Sequence, residues 1–118
     1  MKLDHMFELQ KKFLDRIHVL NNIKDDKDKQ QLVNQTILAI HEEATEILKE
    51  TAYKNPDYVK FGWKKNQKWD IEKYKGEIID IWHFIMNLCI VVDMDAKEFY
   101  DRYCEKQLIN IKRQNDGY

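Results

Sequence analysis

Apolar residues at the start of the chain recur every three or four positions. Leu3, Phe7, Phe13 or Leu14, Ile17 and Leu20 mark one stripe, which the polar Gln10 interrupts. That spacing predicts an amphipathic helix from about Leu3 to Leu20. The polar stretch Asn21 to Lys29 breaks the stripe and reads as a connection. A second helix is expected from about Lys29 to Tyr53, where Leu32, Thr36, Ala39, Ile40, Glu43, Ile47 and Glu50 share overlapping faces. Asn55-Pro56-Asp57 stops it, because proline lacks the amide donor and disfavours the α conformation in the residue before it. Residues 54–69 then form a loop. Asp70 is placed to cap a third helix, Ile71 to Val92, and Asp95 a fourth, Ala96 to about Gln114. The pattern predicts an all-α fold of four helices forming a single domain over residues 1–118, with no internal repeat.

Composition narrows this further. With 3 Gly and 1 Pro in 118 residues, the chain lacks the turn formers that an all-β sandwich or barrel requires. The same scarcity excludes a glycine-rich phosphate loop. Charged residues at 35% and apolar ones at 43% suit long amphipathic helices better than disorder. Cys89 and Cys104 form no CxxC pair, which points to reduced thiols and a cytoplasmic protein. The charged first dozen residues contain no apolar signal core, and the run Ile78–Val92 is too short to span a bilayer and contains Asp80 and His83. No membrane partner is expected.

The formal net charge of −1 gives no reason to expect a nucleic-acid binder, but it is unevenly distributed. Residues 1–53 carry net −2, residues 54–76 net +4 (seven basic, three acidic), and residues 77–118 net −3. A cationic loop is thus bracketed by acidic helices.

The third helix concentrates its polar residues. Glu77, Asp80, His83 and Asn87 are spaced by three, three and four, which at 100° per residue confines them to an arc of about 120°. Unpaired carboxylates on an otherwise apolar helix need a cation or basic partners. The second helix offers a match in Glu42, Glu43 and Glu46. Glu43, Glu46, Glu77 and Asp80 could surround a common space if the two helices pack together. Carboxylates without a cysteine ligand select a hard cation, Mg²⁺ or Mn²⁺. Such an ion beside lysines implies a phosphate substrate. Lys54, Lys60, Lys64, Lys65 and Lys68, with Lys106, Lys112 and Arg113, are candidates to hold it, and Trp63, Trp69 and Phe84 offer surfaces on which a base could stack.

These residues resemble a known family. Glu42-Glu43-Ala44-Thr45-Glu46 and Glu77-Ile78-Ile79-Asp80 match the EExxE…ExxD pattern of the all-α NTP pyrophosphatases, the superfamily of MazG and the dimeric dUTPases. Asp80-Ile81-Trp82-His83-Phe84 is similar to the D-x-x-H-F signature of the dimeric dUTPases and of the dCTP/dUTP pyrophosphatases of T-even-type phages. Tyr103, Lys106, Asn110, Arg113, Gln114, Gly117 and Tyr118 resemble the C-terminal motif of that branch.

The resemblance implies a four-helix bundle assembled as a homodimer or higher homo-oligomer, which cleaves a pyrimidine deoxynucleoside triphosphate to the monophosphate and pyrophosphate. It implies Mg²⁺ ligation by Glu43, Glu46, Glu77 and Asp80, with Glu43 also orienting or deprotonating the attacking water. Lys64, His83, Lys106, Asn110 and Arg113 would serve phosphates and sugar, and Gln10, Trp63 and Phe84 the base. A bacterial or phage-infected cytoplasm would be the setting. The cellular enzymes carry an asparagine a turn after the glutamine, where Leu14 stands here, and a helical insertion that is absent here. The compact form resembles the phage branch and weakens the case for strict dUTP selectivity. The alternatives are a broad MazG-type house-cleaning hydrolase, a redox di-metal protein and a catalytically silent helical module.

Overall fold

The computed structural model describes residues 2–117. Among them are four α-helices, α1 (Lys2–Arg16), α2 (Asp26–Lys49), α3 (Ile71–Val91) and α4 (Ala96–Asn115), with a short 3-10 turn at Leu20–Asn22. There is no strand among the described residues, as the scarcity of glycine and proline predicts. Tyr118, the last position of the C-terminal motif, lies outside them.

Each helix begins and ends for a local reason. Asp25, Asp70 and Asp95 hold extended backbone conformations and accept from the amides of Asp28, Lys73 and Glu98 at 2.8, 3.2 and 2.8 Å. Each therefore satisfies an amide that the helix start leaves without an intrahelical partner. Asp28 accepts in turn from the Lys24 amide, so α2 starts inside the stretch that the polar pattern marks as a connection. The expected first helix stops short of Leu20 because His18 adopts a left-handed φ of 60°, with the Val19 amide donating back to the Leu14 carbonyl. Asp93, with φ 57°, closes α3 in the same manner, and the Met94 amide donates to the Cys89 carbonyl at 2.9 Å.

α2 and α3 form the most extensive helix pair, and α1 lies against α3 and α4. The buried core is small: Phe7, Met86, Cys89 and Ala96, with Leu3, Trp82, Ile90, Met94 and Phe99 around them. The Phe99 ring joins α4 to its neighbours, 6.0 Å from Phe7 and edge-on to Trp82 at 5.5 Å. Both cysteines are free, Cys89 within this core.

The apolar face of α3 is not covered within one chain. Ile78 and Ile79 are 41% and 54% exposed, as are Leu108 (70%) and Ile111 (50%) on α4. The accessible surface is 9529 Å², against the ~6,800 Å² typical of a compact monomer of this mass. The radius of gyration of 18.2 Å likewise exceeds the ~13.5 Å of a compact domain of this length. The chain is open, and its apolar faces await a cover.

The cationic loop is ordered by its own hydrogen bonds. The buried Asn55 donates to the Lys65 and Gln67 carbonyls at 3.1 and 2.9 Å, and its side-chain oxygen accepts from the Asp57 amide at 2.9 Å. The Trp63 and Lys64 amides both donate to the Lys54 carbonyl, at 2.8 and 2.9 Å. Gly62 passes so close to this backbone that an added Cβ would lie 2.5 Å from the Pro56 nitrogen. Asn55→Ala strands two carbonyls and is expected to destabilise the protein by about 1–3 kcal/mol, measured by urea unfolding.

Candidate functional site

The candidate site lies where the middle of α2 faces the first half of α3. The two helices run antiparallel there, since Glu43 meets Glu77 while Thr36 and Ala39 line one cleft with Asn87 and Phe84. Carboxylate oxygens of Glu43, Glu77 and Asp80 all come within 4.8 Å of one another. Glu43 and Glu77 are half-buried, and Asp80 is exposed. Three of the four carboxylates expected to surround a common space thus lie near one another, at the edge of a helix pair and not within a closed core.

Glu46, the fourth expected carboxylate, lies one turn along α2 from Glu43. Its side chain pairs with Lys49 at 3.5 Å, while its charge still acts on Glu77. Both partners are substantially exposed, so this pair holds Glu46 only weakly.

The crowding of negative charge has a direct consequence. Glu77 is held well above the usual carboxylate range, at about 7, chiefly by a hydrogen bond to Glu43 that requires the proton. Desolvation and the charges of Glu43, Asp80 and Glu46 add to the same effect. The Glu43 Oε2 atom is buried and has no hydrogen-bond partner. Such an orphaned oxygen among carboxylates is an incomplete arrangement, and a cation would complete it. The donor set fits a hard divalent ion, with Glu43, Glu77 and Asp80 as the residues that would hold it.

One turn further along the pair, an apolar cleft of about 270 Å³ opens between α1, α2 and α3. Leu14, Leu32, Ala39, Phe84 and Asn87 line it. Gln10, 7% exposed, stands one turn before Leu14 and donates from Nε2 to the Asn87 Oδ1 at 2.7 Å. Of the expected base-contacting residues, Phe84 lines this cleft and Gln10 reaches it only through its bond to Asn87. The third, Trp63, lies in the loop and is 69% exposed, with the Lys54 ammonium 5.6 Å from its ring centre. Trp69 packs edge-on against Tyr74 and lines a separate cleft with Tyr58.

The remaining expected residues are more scattered. His83 is exposed on α3, one turn before Asn87, and Lys64 is exposed in the loop. Lys106, Asn110 and Arg113 lie on the exposed second half of α4, a helix whose most extensive packing is against α1. Sequence reasoning placed Asn87 in the polar seam but gave it no task. The available signal was its position, four residues after His83 and on the same face as Asp80.

The raised Glu77 group also sets a pH dependence for the metal-free protein. Because the folded state holds this proton up to about pH 7 and an unfolded glutamate releases it near 4.5, stability is full below the lower value and falls as pH rises through the upper one. The melting temperature without divalent ions is expected to drop between pH 5 and 8, and Glu77→Gln to flatten that slope.

Comparison with known proteins places the chain in a family. A family model described as dUTPase matches residues 2–99. The dCTP pyrophosphatase of Enterobacteria phage T4 is 39% identical over 44 residues, which are 37% of this chain and 26% of that protein. The alignment thus covers about a quarter of that relative's length. No solved structure gives a significant match. No helix among the described residues is long and apolar enough to cross a membrane. The family match runs from α1 through the carboxylates of both central helices and into α4, and on that span the chain belongs to the dUTPase family.

Proposed function

We propose that the protein is a Mg²⁺-dependent pyrophosphohydrolase of pyrimidine deoxynucleoside triphosphates, acting on dUTP, dCTP or both. The observation that carries this reading is the convergence of Glu43, Glu77 and Asp80 within 4.8 Å, one turn from an apolar cleft lined by Phe84 and by Asn87, the partner of Gln10. The family match supports the chemistry, and the phage dCTP pyrophosphatase supports the choice of a pyrimidine. Mn²⁺ would satisfy the same oxygen donors.

Water attacks the α-phosphorus, the bond from that phosphorus to the α–β bridging oxygen breaks, and pyrophosphate leaves as the monophosphate forms. Glu43 is the residue to orient the water and take its proton, because its Oε2 is buried without a partner. Glu46, Glu77 and Asp80 complete the set that would hold the ion. When bound, a divalent ion neutralises phosphate charge and eases deprotonation of water. Lys64 in the cationic loop, His83 on α3, and Lys106, Asn110 and Arg113 on α4 are assigned to phosphates and sugar. Gln10, Phe84 and Trp63 are assigned to the base.

Assembly as a homodimer or higher oligomer is part of the proposal. Its support is the exposed apolar surface of α3 and α4, together with an accessible area of 9529 Å² for a 14.4 kDa chain. A second copy is the natural cover for such faces, since large apolar patches left in water mark association sites. Light scattering is expected to give at least twice the chain mass, and a monomer would count against the assembly.

Pyrophosphate release from a panel of deoxynucleoside triphosphates, with and without Mg²⁺, tests the activity. Pyrimidine substrates are expected to exceed purines by ~100-fold or more. Equal rates on both would instead favour the broad MazG-type reading. Asp80→Ala is expected to lower kcat by about 10³-fold. It should also raise the metal-free melting temperature, because clustered like charge is removed.

A further inference from the structure

Asn87 has no role in the chemistry described above, yet it makes the one side-chain hydrogen bond that Gln10 forms among the described residues. The bond is short, 2.7 Å, and Gln10 is 7% exposed. Asn87 also lines the apolar cleft, in which Phe84 stands one turn earlier on the same helix. The other hydroxyl on this wall, Thr36, is already committed to its own helix, donating to the Leu32 carbonyl at 2.7 Å. The cleft volume of about 270 Å³ lies below the ~300–1,000 Å³ of pockets that hold a drug-sized ligand, and so suits a single heterocycle better than a whole nucleotide.

The geometry points to the Gln10–Asn87 carboxamide pair as a reversible reader of the pyrimidine edge, which serves uracil in one orientation and cytosine in the other. This rests on the pyrimidine reading above and adds Asn87 as a specificity-determining residue. Asn87 lines the cleft, and with its Oδ1 taken by Gln10 Nε2 the atom it has left to offer a base is the donor Nδ2. Rotating both amides by half a turn preserves their mutual hydrogen bond with its direction reversed, and the offered atom becomes the acceptor Oδ1. Rotating only one sets two donors or two acceptors against each other, so the two amides turn together.

Uracil and cytosine differ in this same sense. Position 3 is a donor in uracil and an acceptor in cytosine, while position 4 is a carbonyl acceptor in uracil and an amino donor in cytosine. Whichever of these positions meets Asn87, one orientation of the pair satisfies one base and the reversed orientation satisfies the other. Among the described residues no charged side chain is bonded to either amide to lock its direction. Leu14, one turn after Gln10 on α1, contributes only an apolar side chain to the cleft.

Steady-state kinetics on dUTP and dCTP with Mg²⁺ test this, using wild type, Asn87→Asp and Gln10→Glu. A carboxylate at either position only accepts, so both variants hold an acceptor toward the base. Wild type is expected to use both substrates with kcat/KM values within about 10-fold of each other. Each variant is expected to shift the dUTP/dCTP ratio by ~10-fold or more, in the same direction, through KM rather than kcat. Asn87→Leu, which removes the partner without imposing a polarity, is expected to weaken both substrates and leave the ratio near that of wild type. An unchanged ratio, opposite shifts in the two carboxylate variants, or a wild-type preference beyond ~100-fold would overturn the reader. Wild type that hydrolyses neither pyrimidine, but turns over purines, would instead overturn the pyrimidine reading on which it rests. Circular dichroism confirms folding of each variant, and where one fails to fold the other carries the comparison.

Discussion

The fold of this chain turns on a repulsion that helix packing enforces. α2 and α3 form the most extensive helix pair, and in packing they bring Glu43, Glu77 and Asp80 into a space where their oxygens lie within 4.8 Å. The metal-free protein answers by keeping a proton on Glu77 up to about pH 7 and by leaving an oxygen of Glu43 without a partner. Neither state is one that a purely structural helix pair would need. The packing of the two helices opposes this local cost, and a divalent ion is the agent that would remove it.

The same helix pair carries a second functional surface one turn away. Thr36, Ala39, Phe84 and Asn87 follow the carboxylates along α2 and α3 and line an apolar cleft. α1 supplies its third wall and delivers Gln10 to Asn87. An acidic site and an apolar cleft thus share one rigid frame. That suits a ligand with a charged end and a flat heterocyclic end, held in fixed relation. The loop of residues 54–69, pinned by Asn55, places its lysines and Trp63 after α2 without glycine-rich turns.

Much of this was legible along the chain. The helix caps Asp70 and Asp95 lie where the pattern put them, because a cap needs only its own residue and the three that follow. The pairing of Glu43 with Glu77 and Asp80 also followed from spacing, since residues three apart share a helix face. Helix ends were less legible. His18 and Asp93 stop α1 and α3 through left-handed backbone, a conformation that non-glycine residues adopt rarely and that no composition announces. Nor does the apolar run of α3 guarantee burial within one chain, because an apolar residue is buried only if something packs against it, and Ile78 and Ile79 meet solvent here.

By itself, then, the sequence determined the four helices, the acidic faces of α2 and α3 and the cationic loop between them, all set by neighbours a few residues apart. Only the tertiary structure decided that Gln10 bonds to Asn87, 77 residues away, and that α4 leaves Lys106, Asn110 and Arg113 on an exposed surface. It also decided that Trp69, offered by the sequence as a surface for a base, packs edge-on against Tyr74 while staying 53% exposed. The physical reason is the same in each case. Local periodicity dictates which face of a helix a residue occupies, but the partner of that face depends on how the helices pack, and packing is a property of the whole chain.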